Sequence, residues 1–268
     1  MHVAILVPFR DEPRQNRAAH LSTFRKHMPA VLDAALGAGN WSLHIGVQTN
    51  DGHKFARGRV LNALVRIVQE SCPAGTRLVF HDVDLLPDAA RAAGYARPLL
   101  PGTAILALNT TGEYAPLALY IGGICAMDMD AFVRVDGFPN QLEGWGAEDD
   151  ALRSRLPPRC IDTYPAGHVR NLELESVGFV RARDVPEFKM SKDDRRRVKE
   201  LWRGGDPVIT GFSTLVFSGR QRALEAPAEH VYDLDVFGWE AAVSKSTGRM
   251  YYVHAASKIS QWHPPPRY

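Results

Sequence analysis

The sequence predicts an α/β fold: a doubly wound, mostly parallel sheet, with a small all-β module after residue 228. Three observations predict it. Val3-Ala4-Ile5-Leu6-Val7 is an unbroken apolar run, as a strand buried on both faces requires. Strand-like runs then alternate with helix-period stretches as far as Leu108. Beyond residue 228 the chain changes character, with two tryptophans, a Tyr-Tyr pair, a Thr-Gly-Arg turn and a proline-rich end.

Taken in order, the first strand ends at Pro8, and the polar loop Arg10 to Arg17 leads into a helix expected from Ala18 to Leu36, closed by Gly37 and Gly39. Leu43 to Thr49 reads as the second strand. Val60, Leu61, Leu64, Ile67 and Val68 follow helical spacing. Arg77 to His81 is a third strand running into Asp82-Val83-Asp84, and Ala104 to Leu108 is a fourth. Such a sheet binds ligands at the carboxyl ends of its strands. Residues 1–228 are expected to form the main domain and 229–268 a linker and the small module, with Gln221 to His230 as the connection.

Composition narrows the function. At 268 residues there is room for one large α/β domain and a small appendage. The 45% hydrophobic and 23% charged residues describe an ordinary globular chain. A formal charge of +2 does not argue for nucleic acid, and Lys192 to Arg197 mixes signs as a solvated helix face does. Cys72, Cys125 and Cys160 make neither a metal pair nor a disulfide framework, which suits a reducing compartment. With the first strand at Val3, no leader or membrane anchor is expected and the chain reads as soluble and cytoplasmic. A chain trimmed from an anchored protein of the secretory lumen would read the same.

Three motifs carry chemistry. Gly144-Trp145-Gly146-Ala147-Glu148-Asp149-Asp150 sets an aromatic plate beside three acids. Adjacent acids cannot all share one face, so at least one is expected to point into a cleft and take a proton. The same residues also read as the acidic first turn of a helix. In Asp82-Val83-Asp84 two acids at i and i+2 share one side of a strand end, and their hard oxygens suit Mn²⁺ or Mg²⁺ bridging a diphosphate. Without a metal the motif is a turn. Tyr120-Ile121-Gly122-Gly123 lets backbone approach a ligand closely, or marks a bulge.

In combination these pieces resemble the beta-1,4-galactosyltransferase family of inverting glycosyltransferases. The match runs through Val7-Pro8-Phe9-Arg10-Asp11, His20-Leu21, Phe55-Ala56-Arg57-Gly58-Arg59-Val60-Leu61-Asn62 and Phe80-His81-Asp82-Val83-Asp84-Leu85-Leu86-Pro87. It continues through Tyr120-Ile121-Gly122-Gly123, Asp136-Gly137-Phe138-Pro139-Asn140 and Gly144 to Asp150. The His-Asp-Val-Asp-Leu-Leu-Pro wording looks most like the member that adds galactose to xylose. The resemblance implies a GT-A fold, a UDP-galactose donor and Mn²⁺ or Mg²⁺. Pro8, Phe9, Arg10, Phe55 and Arg57 match positions that hold the uridine and diphosphate, along with Asp82 and Val83. Asp84 matches the metal-binding acid. Tyr120, beside Gly123, matches the residue that favours galactose over N-acetylgalactosamine. Trp145 matches the plate beside the sugars, Glu148 an acid contacting them, and Asp149 the catalytic base.

The chain departs from that family at the metal's other ligands. Where members carry Met-x-x-His or His-x-His, this sequence reads His168-Val169-Arg170-Asn171-Leu172-Glu173-Leu174-Glu175. Either His168 with Asn171, or Glu173 with Glu175 on one face of a strand, would replace them. His168 is the expected ligand, imidazole being the best Mn²⁺ donor of the set.

The tail resembles a WW domain. Trp239, Tyr252 and Pro265 match its hydrophobic buckle, while Tyr251, Trp262 and Ser260 match the groove that grips a proline-rich peptide. Ala255 stands where readers of a ligand tyrosine usually place histidine, so a plain proline-rich target is expected. The reading overall is of a metal-dependent, inverting galactosyltransferase with a WW module, acting on a glycan or glycoside acceptor. Its rivals are an N-acetylhexosamine transferase and a catalytically weak scaffold recruited through the WW domain.

Overall fold

Alternate side chains of the first strand serve two different cores, and this winds the fold onto both faces of one sheet. The structure is a computed structural model that describes residues 1–49, 52–109, 120–157, 159–176, 178, 180–202, 211–223, 226–254 and 260–263. In chain order the strands of the main body are β1 (Val3–Phe9), β2 (Trp41–Gln48), β3 (Arg77–His81), β4 (Leu85–Pro87), β5 (Ile105–Ala107), β6 (Ile124–Asp128), β7 (Ile161–Thr163), β8 (Val169–Asn171), β9 (Ser218–Gln221) and β10 (Glu229–Asp235). The helices are α1 (Arg17–Leu36), α2 (Arg57–Ser71), α3 (Ala89–Ala92), α4 (Met129–Arg134), α5 (Glu148–Ser154), α6 (Leu172–Glu175) and α7 (Lys192–Trp202). Ala4 and Leu6 of β1 share a core with Val60, Leu61, Leu64 and Val68 of α2. Val3, Ile5, Val7 and Phe9 share the other with Phe24, Met28 and Leu32 of α1.

The large sheet runs in the order β7-β5-β6-β3-β1-β2-β10-β9. β1 pairs in parallel with β2 and β3, and β10 in parallel with β2, while β6 and β9 run against their neighbours. The fold is therefore the mixed but mostly parallel α/β sheet that the apolar runs predict. β3 has the expected bounds, and α1 starts one residue early and closes at Gly37, whose φ of 84° suits glycine. β4 and β8 form a separate antiparallel pair, Leu85 facing Asn171 and Pro87 facing Val169. Lys192 to Arg197 lies on α7, as expected of a solvated helix face. Among the described residues, no helix is long and apolar enough to cross a membrane.

The expected boundary at residue 228 is corrected. Glu229–Asp235 is an inner strand of the large sheet, hydrogen-bonded to β2 on one side and β9 on the other, with Tyr232 and Leu234 buried. Its alternating pattern was masked by the aromatic tail that follows. The small antiparallel sheet begins at Trp239, with β11 (Trp239–Val243), β12 (Met250–His254) and β13 (Ser260–Gln261). At the junction Phe237 stacks on His53 at 4.1 Å between ring centres, and the Arg59 guanidinium sits 4.2 Å over its other side.

Candidate active site

A cavity of about 910 Å³ opens at the carboxyl ends of β1, β2 and β3, at the upper end of the range typical of ligand pockets. Pro8, Phe9 and Arg10 line it where β1 ends, and Phe55 and Arg57 where α2 begins. Gln48, the last residue of β2, shapes that second wall. Its amide donates to the Lys54 carbonyl at 3.0 Å and accepts from the Ala56 amide at 2.8 Å, fixing the loop ahead of α2. Arg10 reaches across to bond the His53 carbonyl. Asp82, Val83 and Asp84 follow β3 into the same cavity, together with Tyr120, Gly123, Trp145, Glu148 and Asp149.

Arg57 joins the two acidic motifs. Its Nε donates to Asp82 Oδ1 at 2.8 Å, its Nη1 donates to Asp149 Oδ1 at 2.7 Å, and Glu148 Oε1 lies 3.7 Å from Nη1. The acids reach it because α5 begins at Glu148, after Ala147 turns the chain at a φ of 71°. Both readings of the Gly144 to Asp150 stretch therefore hold: it starts a helix, and it puts Glu148 and Asp149 into a cleft. Just ahead, Gly144 donates to the Phe55 carbonyl, and Trp145 is pinned by its amide on the Phe188 carbonyl at 2.6 Å. Trp145 stays 38% exposed in the cavity. Gly122 is needed for closeness: a Cβ there would meet the Tyr120 ring and lie 2.7 Å from Asp149 Oδ2.

Burial sets the charges. It raises Glu148 to about 8, helped by the neighbouring Asp149 carboxylate, so Glu148 carries a proton at neutral pH. Asp82 is raised by burial, against the pull of Arg57. Tyr120 is pushed far up by burial and by Asp149, so its hydroxyl remains a donor. Burial works upward on Asp84 as well, but Arg17 and the proton on Glu173 outweigh it and hold Asp84 low. Glu173 itself is raised to about 8, chiefly by burial and then by Asp84.

Arg17 is a second hub that the motif reading missed. Its Nη1 lies 3.1 Å from Asp84 Oδ2 and its Nη2 2.8 Å from Glu173 Oε1. A signal for it was present in the sequence: a cation at the first position of a helix with no acid in that turn runs against the helix dipole.

The expected metal ligand His168 is not in the site. It is exposed, its amide bonds Asp88 Oδ2 at 2.9 Å, and its carbonyl accepts from Asp88 at 3.0 Å. The reason is geometric: 168–171 is extended, which separates its ends by ~10 Å, and only Asn171 lies opposite Leu85 beside the acidic motif. Asn171 Oδ1 accepts from the Glu173 amide at 2.9 Å, capping α6. Because 172–175 is helical rather than extended, Glu173 and Glu175 diverge. Glu173 lines the cavity, and Glu175 faces outward, 2.6 Å from Arg170. The relatives' Mn²⁺ thus does not fit the residues present. Asp84 and Glu173 grip a guanidinium, and among the described residues no three His, Cys, Asp or Glu side chains converge on a metal position.

In the small sheet, Val253 pairs with Ser260, which puts Tyr251, Val253, Ser260 and Trp262 on one face. The Tyr251 and Trp262 rings meet edge-on at 5.9 Å, and Trp262 is 49% exposed. Trp239 and Tyr252 share the opposite face, as the expected buckle requires. Pro265, its third member, and Ala255 lie outside the described residues.

Residues 103–173 match the family model described as the N-terminal domain of galactosyltransferase, and residues 237–265 match that of the WW domain. Human beta-1,4-galactosyltransferase 4 is 34% identical over 157 residues, which are 58% of this chain and 42% of that one. Human beta-1,4-galactosyltransferase 3 is 33% identical over 171 residues, covering 60% and 41%. Over these residues the chain is similar to the beta-1,4-galactosyltransferases. It spans about two fifths of the length of these beta-1,4-galactosyltransferases. Its fold is the GT-A fold of the solved Drosophila beta-1,4-galactosyltransferase 7, with a TM-score of 0.62 at 19% identity, covering 88% of this chain and 94% of that one. That relative was crystallised with manganese, UDP-Gal and xylobiose, and a second structure of its catalytic domain holds xylobiose, with a TM-score of 0.62 at 20% identity.

Proposed function

We propose that this protein transfers galactose from UDP-galactose to a sugar hydroxyl with inversion, giving a β-linkage. The observation that carries the reading is Arg57, which holds Asp82 of the donor wall and Asp149 of the acceptor wall on one guanidinium beside the exposed Trp145. The residues divide the work by their chemistry. Pro8, Phe9 and Arg10 at the end of β1 and Phe55 ahead of α2 hold the nucleotide. Trp145 stacks on sugar. Glu148, protonated by its burial, donates to a sugar hydroxyl. Tyr120, packed against Gly122, narrows the space beside the donor ring and favours galactose over its N-acetylamino form. Asp149, oriented by Arg57, accepts the acceptor's proton as the acceptor oxygen attacks the anomeric carbon. No step passes through a metal, because the donor set does not fit one.

A xylose-type acceptor is the first to try, in keeping with the xylobiose bound to the Drosophila relative. The WW module holds a proline-rich segment across Tyr251 and Trp262. The absence of the relatives' histidine ligands favours one competing reading, a scaffold with little turnover that is recruited through the WW module. One assay separates the two: UDP release from UDP-galactose and from UDP-N-acetylgalactosamine, with a panel of acceptor glycosides. Asp149→Asn is expected to lower turnover on UDP-galactose by roughly 10²- to 10⁴-fold while UDP still binds. Absence of Asp149-dependent turnover with every donor and acceptor pair rejects the enzyme reading.

A further inference from the structure

We propose that Arg17, and not a divalent cation, neutralises the diphosphate leaving group in this protein; the inference rests on the nucleotide-sugar reading above. As the acceptor oxygen bonds to the anomeric carbon, the bond from that carbon to the diphosphate breaks. The electron pair stays on the phosphate oxygen, and the acceptor's proton passes to Asp149. The charge that builds on the phosphate needs a cation at the place where Asp84 ends the acidic motif. In this chain that place holds a guanidinium.

Three observations support the assignment. First, Arg17 is fixed from two directions, with Nη1 3.1 Å from Asp84 and Nη2 2.8 Å from Glu173. A guanidinium has five N–H groups, so each terminal nitrogen keeps one hydrogen for a phosphate oxygen. Its side chain is 19% exposed, reachable from the cavity that it lines with Pro8, Arg10 and Asp82.

Second, its position suits an anion. Arg17 opens a 20-residue helix whose first turn has no acid and whose Asn16 cap makes no side-chain bond. The amides of that turn and the guanidinium both present partial or full positive charge, a combination that favours an anion. Third, the alternatives are otherwise engaged. His168 sits on Asp88 outside the site, Asn171 caps α6, and a divalent ion would have to take Asp84 away from Arg17.

The test measures UDP binding to the whole chain by calorimetry, after EDTA treatment and again with added Mn²⁺. Electron paramagnetic resonance of Mn²⁺ is followed in parallel. The expected result is the same UDP affinity, within about twofold, in both conditions, with the free-Mn²⁺ signal unchanged by the protein. Arg17→Ala is expected to weaken metal-free UDP binding by roughly tenfold or more, and Arg17→Lys by less, since it restores the charge without the fork. Thermal unfolding checks that both variants fold. If neither does, the comparison of EDTA with Mn²⁺ on the parent still decides. Binding that is lost in EDTA and restored with protein-bound Mn²⁺ overturns the proposal and leaves the donor reading intact. Unchanged affinity in a folded Arg17→Ala also overturns it. Failure to bind UDP in either condition overturns the proposal and the donor reading together.

Discussion

Glu148 and Asp149 are neighbours in sequence, yet the function proposed above gives them opposite tasks. Glu148 keeps its proton until about pH 8 because it is buried beside the other carboxylate, so its neutral, donating form is present below that value and disappears above it. Donor KM is accordingly expected to rise as pH climbs past about 8, seen in a profile of kcat and KM measured separately. Glu148→Gln, which donates at every pH, is expected to flatten that rise. A profile unchanged by the substitution would refute the assignment. At this scale the acids and Trp145 were expected in a cleft from their residue types, and Tyr120 from the family resemblance, and all of them line the cavity. Arg17 was not expected there, and Arg57, expected at the nucleotide, was not expected to join the acids. Arg57 reaches Asp149 across 92 positions and Arg17 reaches Glu173 across 156, and no local spacing reveals pairings of that range.

At the scale of elements, long periodic segments were legible and short ones were not. β1, α1, α2 and β3 announced themselves by unbroken apolar runs or helical spacing. β8 and α6, three and four residues long, carry too few side chains to show a period. This is why Glu173 and Glu175 seemed to share a face and His168 seemed near the acids. The Gly122-Gly123 pair shows how a short element can still be tested. Gly123 has a φ of 81°, and a Cβ there would press on Asn109 and Leu85, so its replacement strains the backbone itself. Gly122 has ordinary backbone, but its Cβ would intrude on Asp149 and the Tyr120 ring. Gly122→Ala is therefore expected to cut turnover by about 10²-fold, since small misplacements of catalytic groups cost that much, with far-UV dichroism unchanged. Turnover equal to the parent's would show that the contact is not tight.

Over the whole molecule, stability depends on histidines kept neutral inside the sheet. His44 is lowered to about 3 by burial and then by His230 and His2, with Ser42 2.8 Å from its Nε2. His81, wholly buried, is lowered to about 4 by burial. Both lie below the ordinary 6.5, so above that value neither the folded nor the unfolded chain binds these protons and their contribution is complete. As pH falls from 6.5 toward 4 the unfolded chain takes up protons that the folded one refuses. Each histidine contributes a drop of about 1.4 kcal/mol per pH unit, and Glu148 and Glu173, which keep protons in the folded chain up to about 8, contribute in the opposite direction over the same window. Thermal midpoints recorded across that window check the slope. His44→Gln, which does not titrate there, should change the slope by about 1.4 kcal/mol per pH unit toward greater stability at low pH, and an unaltered slope would absolve His44.

The placement of β10 has a kinetic corollary. Glu229 lies beside Leu43 in the finished sheet, so β2, paired with β1 on one side, keeps its other edge unpaired until a strand from the last fifth of the chain arrives. Closing so long a loop is slow, and it sets a late step in acquiring the native state. During synthesis the amino-terminal strands must wait with an edge exposed, whereas the Trp239–Gln261 hairpins pair with near neighbours and can form within microseconds. The small sheet thus forms without waiting for any distant strand.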